Sequence, residues 1–558
     1  MATENDFEKQ VAMYEPLWLK QYDESVRRNL PEPDQTMKEI LLKWVSVQPD
    51  KPHIIYNDRI MSYKESNAAA CRLANALLKL GCKKGDRLSI MLPNIPEVII
   101  AFMACYKTGI IAVGYNPRSA EAEIKGNLLD NGAETVVINA ANADKVIDIL
   151  KNGETKLKNI LVVDYGENSK PDENIFDLYE LINKEEADEP DIEVFPDDIQ
   201  ILYYTGGTTG VSKGCCHTNK GIIGHEHAFM EWFGPAMDGA DTRIIMSLPM
   251  THGYGINCGI NWCLVAGGTV IALDTANTDV ILEAINQHEP TIWPSVPALI
   301  NQIVYHPQVG KSKIWALKLV ICGSAPLPVQ SLLTFRKHTN ARVAEGFGMS
   351  EGINATTFNR VTDGGKPGSI GVPFPDTDML VVDAVNGEEV MSFNQKGELI
   401  WRGPQLIKEY WRNPEETAYA IRNGWMYSGD IGYMDEDGYF YIVDRKKDMM
   451  DIGGFNVFPR EIDELLAKHP QIFAASTVGV PDSRLGEVPM SFVVIKPGEK
   501  LTAEDVKHYC HDNLTAYKVP RYVEFVDEIP LTKDNKPDKE RMKRMGREIM
   551  LNEAGIIA

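Results

Sequence analysis

A run of glycines, hydroxyls and one lysine, Thr205-Gly206-Gly207-Thr208-Thr209-Gly210-Val211-Ser212-Lys213-Gly214, follows the apolar stretch Leu202-Tyr203-Tyr204. Residues of these types in this order suit a phosphate. The glycines let the backbone turn tightly and aim its N–H groups inward, the hydroxyls of Thr205, Thr208, Thr209 and Ser212 can donate to phosphate oxygens, and Lys213 brings a positive charge. The spacing differs from the Walker loop, in which glycine directly precedes the lysine and a hydroxyl residue follows it; here Ser212 precedes Lys213 and Gly214 follows. Taken alone, such a loop would serve equally well as a surface turn. Its meaning depends on what else the chain carries.

Several other stretches carry chemistry-bearing side chains. Glu345-Gly346-Phe347-Gly348-Met349-Ser350-Glu351 offers an aromatic face, a hydroxyl and hard carboxylate oxygens of the kind Mg²⁺ prefers. Ile321-Cys322-Gly323-Ser324-Ala325-Pro326 reads as a strand ending in a small-residue turn that could lie flat against a base. Tyr427-Ser428-Gly429-Asp430 puts a carboxylate on a turn, where it could accept from two neighbouring hydroxyls or simply close a hairpin. His252, in Leu248-Pro249-Met250-Thr251-His252, would by itself more often be a buried, hydrogen-bonded histidine than a catalytic one. The charged run Asp444-Arg445-Lys446-Lys447-Asp448 has the composition of a linker, and Lys536 lies on a loop with two further lysines nearby. Cys215, Cys216, His217, His225 and His227 make a poor zinc site. The cysteines are adjacent, and residues two apart on a helix do not share a face.

In wording and order these motifs resemble the adenylate-forming superfamily of acyl-CoA synthetases, peptide-synthetase adenylation domains and luciferases. The resemblance covers roughly residues 200 to 540 by motif and most of the chain by pattern. It implies an ATP- and Mg²⁺-dependent carboxylate–CoA ligase that makes an acyl-adenylate and then an acyl-CoA, with CoA as co-substrate. Carried over residue by residue, Thr205, Gly206, Gly207, Thr208, Thr209, Gly210 and Lys213 would hold phosphates, and Gly323, Ser324, Ala325, Glu345, Gly346, Phe347, Gly348 and Ser350 would form the nucleotide pocket. Glu351 would hold the metal, Asp430 and Arg445 would serve the ribose region, and Lys447 would be the hinge pivot. Gly453, Gly454 and Phe455 would border the CoA tunnel, while Lys536 would bridge carboxylate and α-phosphate. His252, with Asn257, Trp262, Val296 and Cys322, would line the acyl pocket. The sequence departs from the family pattern at Ser350 for threonine, Phe347 for tyrosine and Asn535 for glycine. The first two keep the hydroxyl and the ring, and asparagine is the residue that best replaces glycine in a left-handed turn.

These residues need a scaffold of some size. The chain has 558 residues, 44% of them hydrophobic, which is enough for a large core and more than one domain. Its formal charge of −22 disfavours nucleic acid and anionic membrane surfaces as partners. Nine cysteines without CxxC spacing and no signal peptide lead to an expectation of a reducing, cytoplasmic setting. The apolar stretch Val98 to Val113 is too short and interrupted to span a bilayer, and reads as a buried helix followed by a strand. Helices and strands alternate from about residue 34 to 195 and again from 197 to 376, predicting an α/β fold with two α/β subdomains. The acidic segment 166–196 reads as a solvated connection. Residues 377–443 are rich in turns and strands, predicting a small distorted β-barrel that completes an N-terminal domain of residues 1–444. A hinge at 445–448 and a mobile α+β C-terminal domain at 449–558 would follow. The leader up to Met37, with Trp18, Tyr22, Pro31 and Pro33, predicts a short helix and an extended arm. Its style resembles that of medium- and long-chain fatty acid ligases. A ligase for a cyclic or aromatic acid, and an adenylating enzyme with another acceptor, remain as alternatives.

Overall fold

The structure is a computed structural model that describes residues 4–164, 173–205, 212–237, 239, 241–323, 327, 329–453, 455–482, 484–532 and 537–553. Its frame is a pair of mixed sheets. One has nine strands, running in space Val372–Pro373, Thr357–Phe358, Arg342–Phe347, Leu319–Cys322, Ile292–Ser295, Arg243–Met246, Thr269–Ala272, Pro52–Tyr56 and Arg59–Ser62. The other has eight, running Glu409–Tyr410, Gly214–Thr218, Ile199–Tyr204, Ile111–Gly114, Arg87–Met91, Thr135–Asn139, Asn159–Val163 and Ile175–Asp177. The inner strands of both sheets are parallel and almost continuously apolar, as strands covered on both faces must be.

The two α/β units are interleaved along the chain. The hairpin Pro52–Tyr56/Arg59–Ser62 leaves the first unit to extend the sheet of the second, pairing with Thr269–Ala272. In return, Ile199–Tyr204 and Gly214–Thr218 join the first sheet, and Glu409–Tyr410, from the segment expected to be barrel, is added at its edge. The segment expected to be only a solvated connection contributes the edge strand Ile175–Asp177 and the helix Leu178–Ile182. It also provides Glu189, which pairs with Lys107. Lys107 lies on the helix Pro96–Thr108, buried all round, and is itself fully buried. A buried ammonium is tolerable only with such a partner.

Helix starts follow the local chemistry. Thr36 and Ser62 each close a capping box with a glutamate three residues on, Glu39 and Glu65, opening Met37–Val47 and Tyr63–Lys79. Residues 378–445 form a five-stranded antiparallel sheet. The helix Glu4–Leu19 lies on it through Phe7 against Trp425, Tyr14 against Phe393 and Trp18 against Phe440. A second five-stranded sheet with three flanking helices occupies 450–553. This part meets the rest where Arg460 N–H donates to Asp444, near the end of the strand Phe440–Arg445, at 2.9 Å, and where Glu461 pairs with Lys396. Among the described residues no helix is long and apolar enough to cross a membrane.

Candidate active site

Parallel strands present their C-terminal ends along one edge, the usual place for a ligand in an open α/β sheet. At that edge Ser295 pairs with Cys322, and Cys322 with Glu345, so that the residues following these strands are neighbours by register. Tyr254 ties this edge to His252. His252 caps the short helix Gly253–Ile256, accepting from the Tyr254 N–H at 3.3 Å. The Tyr254 hydroxyl then donates to the carbonyls of Ser295 (3.2 Å) and Ile321 (3.1 Å), directly before Val296 and Cys322. A Cβ on Gly323 would stand 3.4 Å from the Tyr254 ring. His252, Val296, Cys322 and Gly323 are therefore gathered around one phenol. Cys322 is buried, and burial pushes its thiol well above its ordinary value. Trp262 lies deeper, in an aromatic cluster with Phe229 and Phe233.

Glu345, Gly346 and Phe347 end the strand Arg342–Phe347. Glu345 accepts from the Leu327 N–H at 2.9 Å, and partial burial pushes its carboxyl upward. Gly348 sits where nothing larger fits, since a Cβ there would come within 1.6 Å of the Asn354 carbonyl oxygen. Beyond it, Ser350 and Glu351 form a single 3₁₀ turn that ends at Ile353, whose φ of 63° and ψ of −62° are those of a classic γ-turn. The Asn354 N–H closes that turn on the Gly352 carbonyl at 2.6 Å. A β-branched residue held in this conformation stores strain at the segment that carries Ser350 and Glu351.

Glu351 is nearly buried, and its Oε1 accepts from the Tyr410 hydroxyl at 2.6 Å. The same ring carries Lys213 Nζ on its face, 5.2 Å from the centroid, while Lys213 is ion-paired with Glu416. The strand pairing explains this meeting. Tyr410 sits opposite Cys215, two residues beyond Lys213, and the Trp411 N–H donates to the Gly214 carbonyl at 2.7 Å. The packing at Gly214 is close, since a Cβ there would press on Trp411 at 3.1 Å and on Tyr204 at 3.2 Å. Thr205 and Lys213 close the base of the loop: the Thr205 N–H donates to the Lys213 carbonyl at 3.0 Å, and the Lys213 N–H to Thr205 Oγ1 at 3.1 Å. His217, on the same strand as Cys215, lies against the Ser350 carbonyl at 2.8 Å and against the Tyr203 ring. Burial pushes it down to about 4, so its imidazole is neutral and donates this bond.

Asp430 and Arg445 are opposite one another on neighbouring strands and form an ion pair at 2.9 Å. Lys447 follows in a 3₁₀ turn, its ammonium pushed down by partial burial. Gly453 has a φ of 60°, and Phe455 is exposed and stacked on Tyr517 at 4.7 Å. These last residues belong to the C-terminal sheet. Gly206, Gly207, Thr208, Thr209, Gly210, Ser324, Ala325, Gly454 and Lys536 lie outside the described residues.

Sequence reasoning missed Tyr410, His217 and Tyr254, the side chains that hold the site residues in place. Tyr254 falls within a motif already singled out, two residues after His252. Tyr410 carries no local signal, since its role comes from a strand pairing almost two hundred residues long.

The fold and this arrangement define a nucleotide-dependent α/β enzyme with a separate C-terminal part. The family model described as AMP-binding enzyme matches residues 41–411, and that described as AMP-binding enzyme C-terminal domain matches residues 461–536. The long-chain-fatty-acid–CoA ligase of Bacillus subtilis is 34% identical over 545 residues, covering 92% of this chain and 95% of that protein. The 4-coumarate–CoA ligase 1 of Solanum tuberosum is 32% identical over 494 residues, covering 86% and 88%. Among solved structures, ATP-bound MatB from Rhodopseudomonas palustris aligns with a TM-score of 0.82 at 26% identity, covering 92% of this chain and all of the other. The chain belongs to the AMP-binding enzyme family, and within it to the acyl-CoA ligases.

Proposed function

We propose that the protein activates a medium- or long-chain fatty acid with ATP and transfers it to CoA. The observation that carries the reading is the meeting of Lys213 and Glu351 on opposite parts of Tyr410, at the base of the glycine and threonine loop. A cation and a hard carboxylate held this close can serve the same polyphosphate from two sides. Glu351 fits Mg²⁺, which takes one or two protein carboxylates and completes its shell with phosphate oxygens and water. When bound, the ion neutralises phosphate charge. The Tyr410 hydroxyl fixes the orientation of the carboxylate that receives it.

In the first step a substrate carboxylate oxygen attacks the α-phosphorus, the bond to pyrophosphate breaks, and an acyl-adenylate forms. Lys213 and the loop hydroxyls compensate the charge from one side and Lys536 from the other. His252 and the strand ends that bear Val296 and Cys322 hold the acid. Phe347 offers a face to the adenine, and Asp430 with Arg445 holds the ribose. In the second step the CoA thiol attacks the acyl carbon, AMP leaves, and the thiol proton passes to solvent. Because Lys536 serves only the first step, we place a hinge at residues 445–448, pivoting on Lys447, between an N-terminal domain of residues 1–444 and a C-terminal domain of residues 449–558. Rotation about it would bring Gly453, Gly454 and Phe455 to the thiol.

The fatty-acid reading is supported by the Bacillus subtilis ligase, which aligns over nearly its whole length. A ring-bearing acid is the second reading, supported by the Solanum tuberosum enzyme. The deciding experiment uses purified protein, MgATP, CoA and linear acids from two to sixteen carbons, beside benzoate, cinnamate and cyclohexanecarboxylate. A maximum among linear acids of six or more carbons is expected. A maximum on ring acids replaces the substrate assignment, and AMP formed without acyl-CoA removes CoA as the acceptor.

A further inference from the structure

The loop that carries Lys536 is closed by its own flanks. Leu531 and Pro537 face each other as a β-bridge, and the Asp538 N–H donates to the Pro530 carbonyl at 2.8 Å. Asp538 then caps the helix Lys539–Glu553, its Oδ1 accepting from the Arg541 N–H at 2.9 Å. Lys536 directly precedes Pro537 in this closed turn. Whatever fixes the start of the helix therefore fixes the base of Lys536.

Lys539 opens that helix, where a cation is badly placed: the first turn is the positive end of the helix dipole and favours carboxylates. Its surroundings account for it. Lys539 Nζ stands 3.9 Å from Asp463 Oδ2 and 4.0 Å from Asp444 Oδ1, and all three side chains are largely shielded from solvent. These are ion-pair distances, too long for a hydrogen bond, so the ammonium sits between two carboxylates and is bonded tightly to neither. Burial pushes Asp463 up to about 7, with Lys539 drawing it down and Asp444 raising it. Removing the ammonium would leave two carboxylates facing each other where water scarcely reaches.

The two carboxylates belong to different sides of the proposed hinge. Asp463 lies on the helix Pro459–Leu466 of the C-terminal part, and Asp444 lies on the strand Phe440–Arg445, directly before the hinge. Asp444 Oδ2 also accepts from the Arg460 N–H at 2.9 Å, so one carboxylate meets the first turns of two C-terminal helices. The same helix reaches the hinge itself. Lys447, pushed down chiefly by burial, also responds to the charges of Glu540 and Lys543. Asp463 travels with Lys539 wherever the C-terminal part goes, whereas Asp444 stays behind. In the arrangement of this structure Phe455 is exposed and stacks on Tyr517 of its own part, so the turn proposed to border the thiol is not in place for the second step.

We propose that Lys539 is a positioning residue for Lys536, kept by Asp463 throughout and by Asp444 only while the C-terminal part stands as the adenylation step needs it. The proposal rests on the ligase reading and adds to it a named contact across the hinge that opens between the two steps. Lys539 touches no reactant and acts through the loop whose base it anchors.

The test measures the two half-reactions separately on the full chain, with the preferred acid of the panel above and its synthetic adenylate: acid-dependent exchange of pyrophosphate into ATP, and CoA-dependent conversion of the adenylate to acyl-CoA. Asp444→Asn keeps an oxygen for the Arg445 and Arg460 N–H groups and loses the charge that faces Lys539. It is expected to slow the exchange about tenfold through kcat, with the KM for ATP and the adenylate conversion both within about twofold of wild type. Lys539→Met should slow the exchange at least as much, and Lys539→Arg, whose fork reaches both carboxylates, should restore it. If Lys539→Met fails to fold, Asp444→Asn carries the test, because it leaves the ammonium paired with Asp463. Exchange by Asp444→Asn within about twofold of wild type overturns the inference, and so does an equal loss in both half-reactions, which would make the cluster purely structural. A loss carried by the KM for ATP would trace to Arg445 and overturn it too. Each of these results leaves the ligase reading intact; no acid-dependent exchange by the wild-type enzyme with any acid would sink both.

Discussion

Replacing Tyr410 by phenylalanine removes one oxygen and keeps the ring, so it separates two roles that meet at this residue. The contact between Lys213 and the ring face survives. What is lost is the 2.6 Å hydrogen bond to Glu351, in a place where the carboxylate is only 8% exposed and solvent cannot replace the donor. Hydrogen bonds to charged groups contribute about 1.5–3 kcal/mol, which at 1.4 kcal/mol per tenfold corresponds to roughly 10- to 100-fold. Loss of a partner that orients a metal-binding carboxylate has consequences of similar size. The loss is expected in the adenylation step and at limiting Mg²⁺ above all, because a freely rotating Glu351 pays an ordering cost each time it takes up the ion.

The assay is acid-dependent exchange of pyrophosphate into ATP, followed against Mg²⁺ concentration. Tyr410→Phe should be slowed roughly 10- to 100-fold at low Mg²⁺ and should recover in part as Mg²⁺ is raised. Tyr410→Leu, which also removes the surface under Lys213, should lose more and should show a higher KM for ATP. A thermal melt of each variant separates site effects from unfolding. An exchange rate for Tyr410→Phe within twofold of wild type at limiting Mg²⁺ would refute the argument that Glu351 is oriented by this hydroxyl to hold the ion.

Other outcomes follow from single contacts. Glu416 pairs with Lys213, and the pair is partly exposed, so the competition it can offer to a phosphate is worth at most about 1 kcal/mol. Glu416→Ala should therefore lower the KM for ATP by a few fold, and an unchanged or higher KM would show that the pair does not compete with phosphate. Asp430→Asn removes the carboxylate paired with Arg445; if the pair holds the ribose, the KM for ATP rises tenfold or more while that for CoA stays near its wild-type value in steady-state kinetics. His53, stacked on Tyr63 and bonded to Ser66 at 2.8 Å, is pushed by burial from 6.5 down to about 3. The unfolded chain then binds one more proton than the native one between these values, so this histidine's contribution is present above pH 6.5 and is lost as the pH falls toward 3. Chemical denaturation of His53→Gln and wild type between pH 4 and 6 should show the variant's stability falling less steeply, by about 1.4 kcal/mol per pH unit; parallel slopes would exclude the linkage.

How much of this could be read from the residues depends on the range over which each feature acts. Features set by a few neighbouring side chains were legible: the apolar stretch from Val98 reads as a buried helix followed by a strand, and the structure has the buried helix Pro96–Thr108 and the strand Ile111–Gly114 there. The relation of Asp430 to Arg445 was legible only through resemblance, because nothing in the fourteen intervening residues says that a hairpin will set them opposite. The placement of Tyr410, the exchange of Pro52–Tyr56 into the distant sheet and the pairing of Lys107 with Glu189 were not legible. Each is a contact between segments that look self-sufficient in sequence.

That interleaving bears on the chemistry. Because Ile199–Tyr204 and Gly214–Thr218 cross into the first sheet while Arg342–Phe347 stays in the second, Lys213 and the turn carrying Ser350 and Glu351 belong to separate sheets and are related through side chains. The strand Gly214–Thr218 has Tyr410 on its edge and His217 on its face, and these two side chains reach the Glu351 carboxylate and the Ser350 carbonyl directly. The turn carrying Ser350 and Glu351 is thereby fixed to the strand that follows Lys213 by two hydrogen bonds, one at each end of the Ser350–Glu351 pair. The strained Ile353 that follows is held from the other side by the packing of Trp401 on Gly352, whose Cβ would stand only 2.9 Å from the indole. A segment clamped on both sides can keep a γ-turn that an isolated peptide would relax. Releasing one clamp should therefore disturb the site before it disturbs the fold. His217→Phe, which keeps the ring contact with Tyr203 but loses the bond to Ser350, should reduce pyrophosphate exchange about tenfold with a change in Tm of only a few degrees. Equal losses in activity and in folded protein would instead make the histidine a packing residue, with no part in holding the turn.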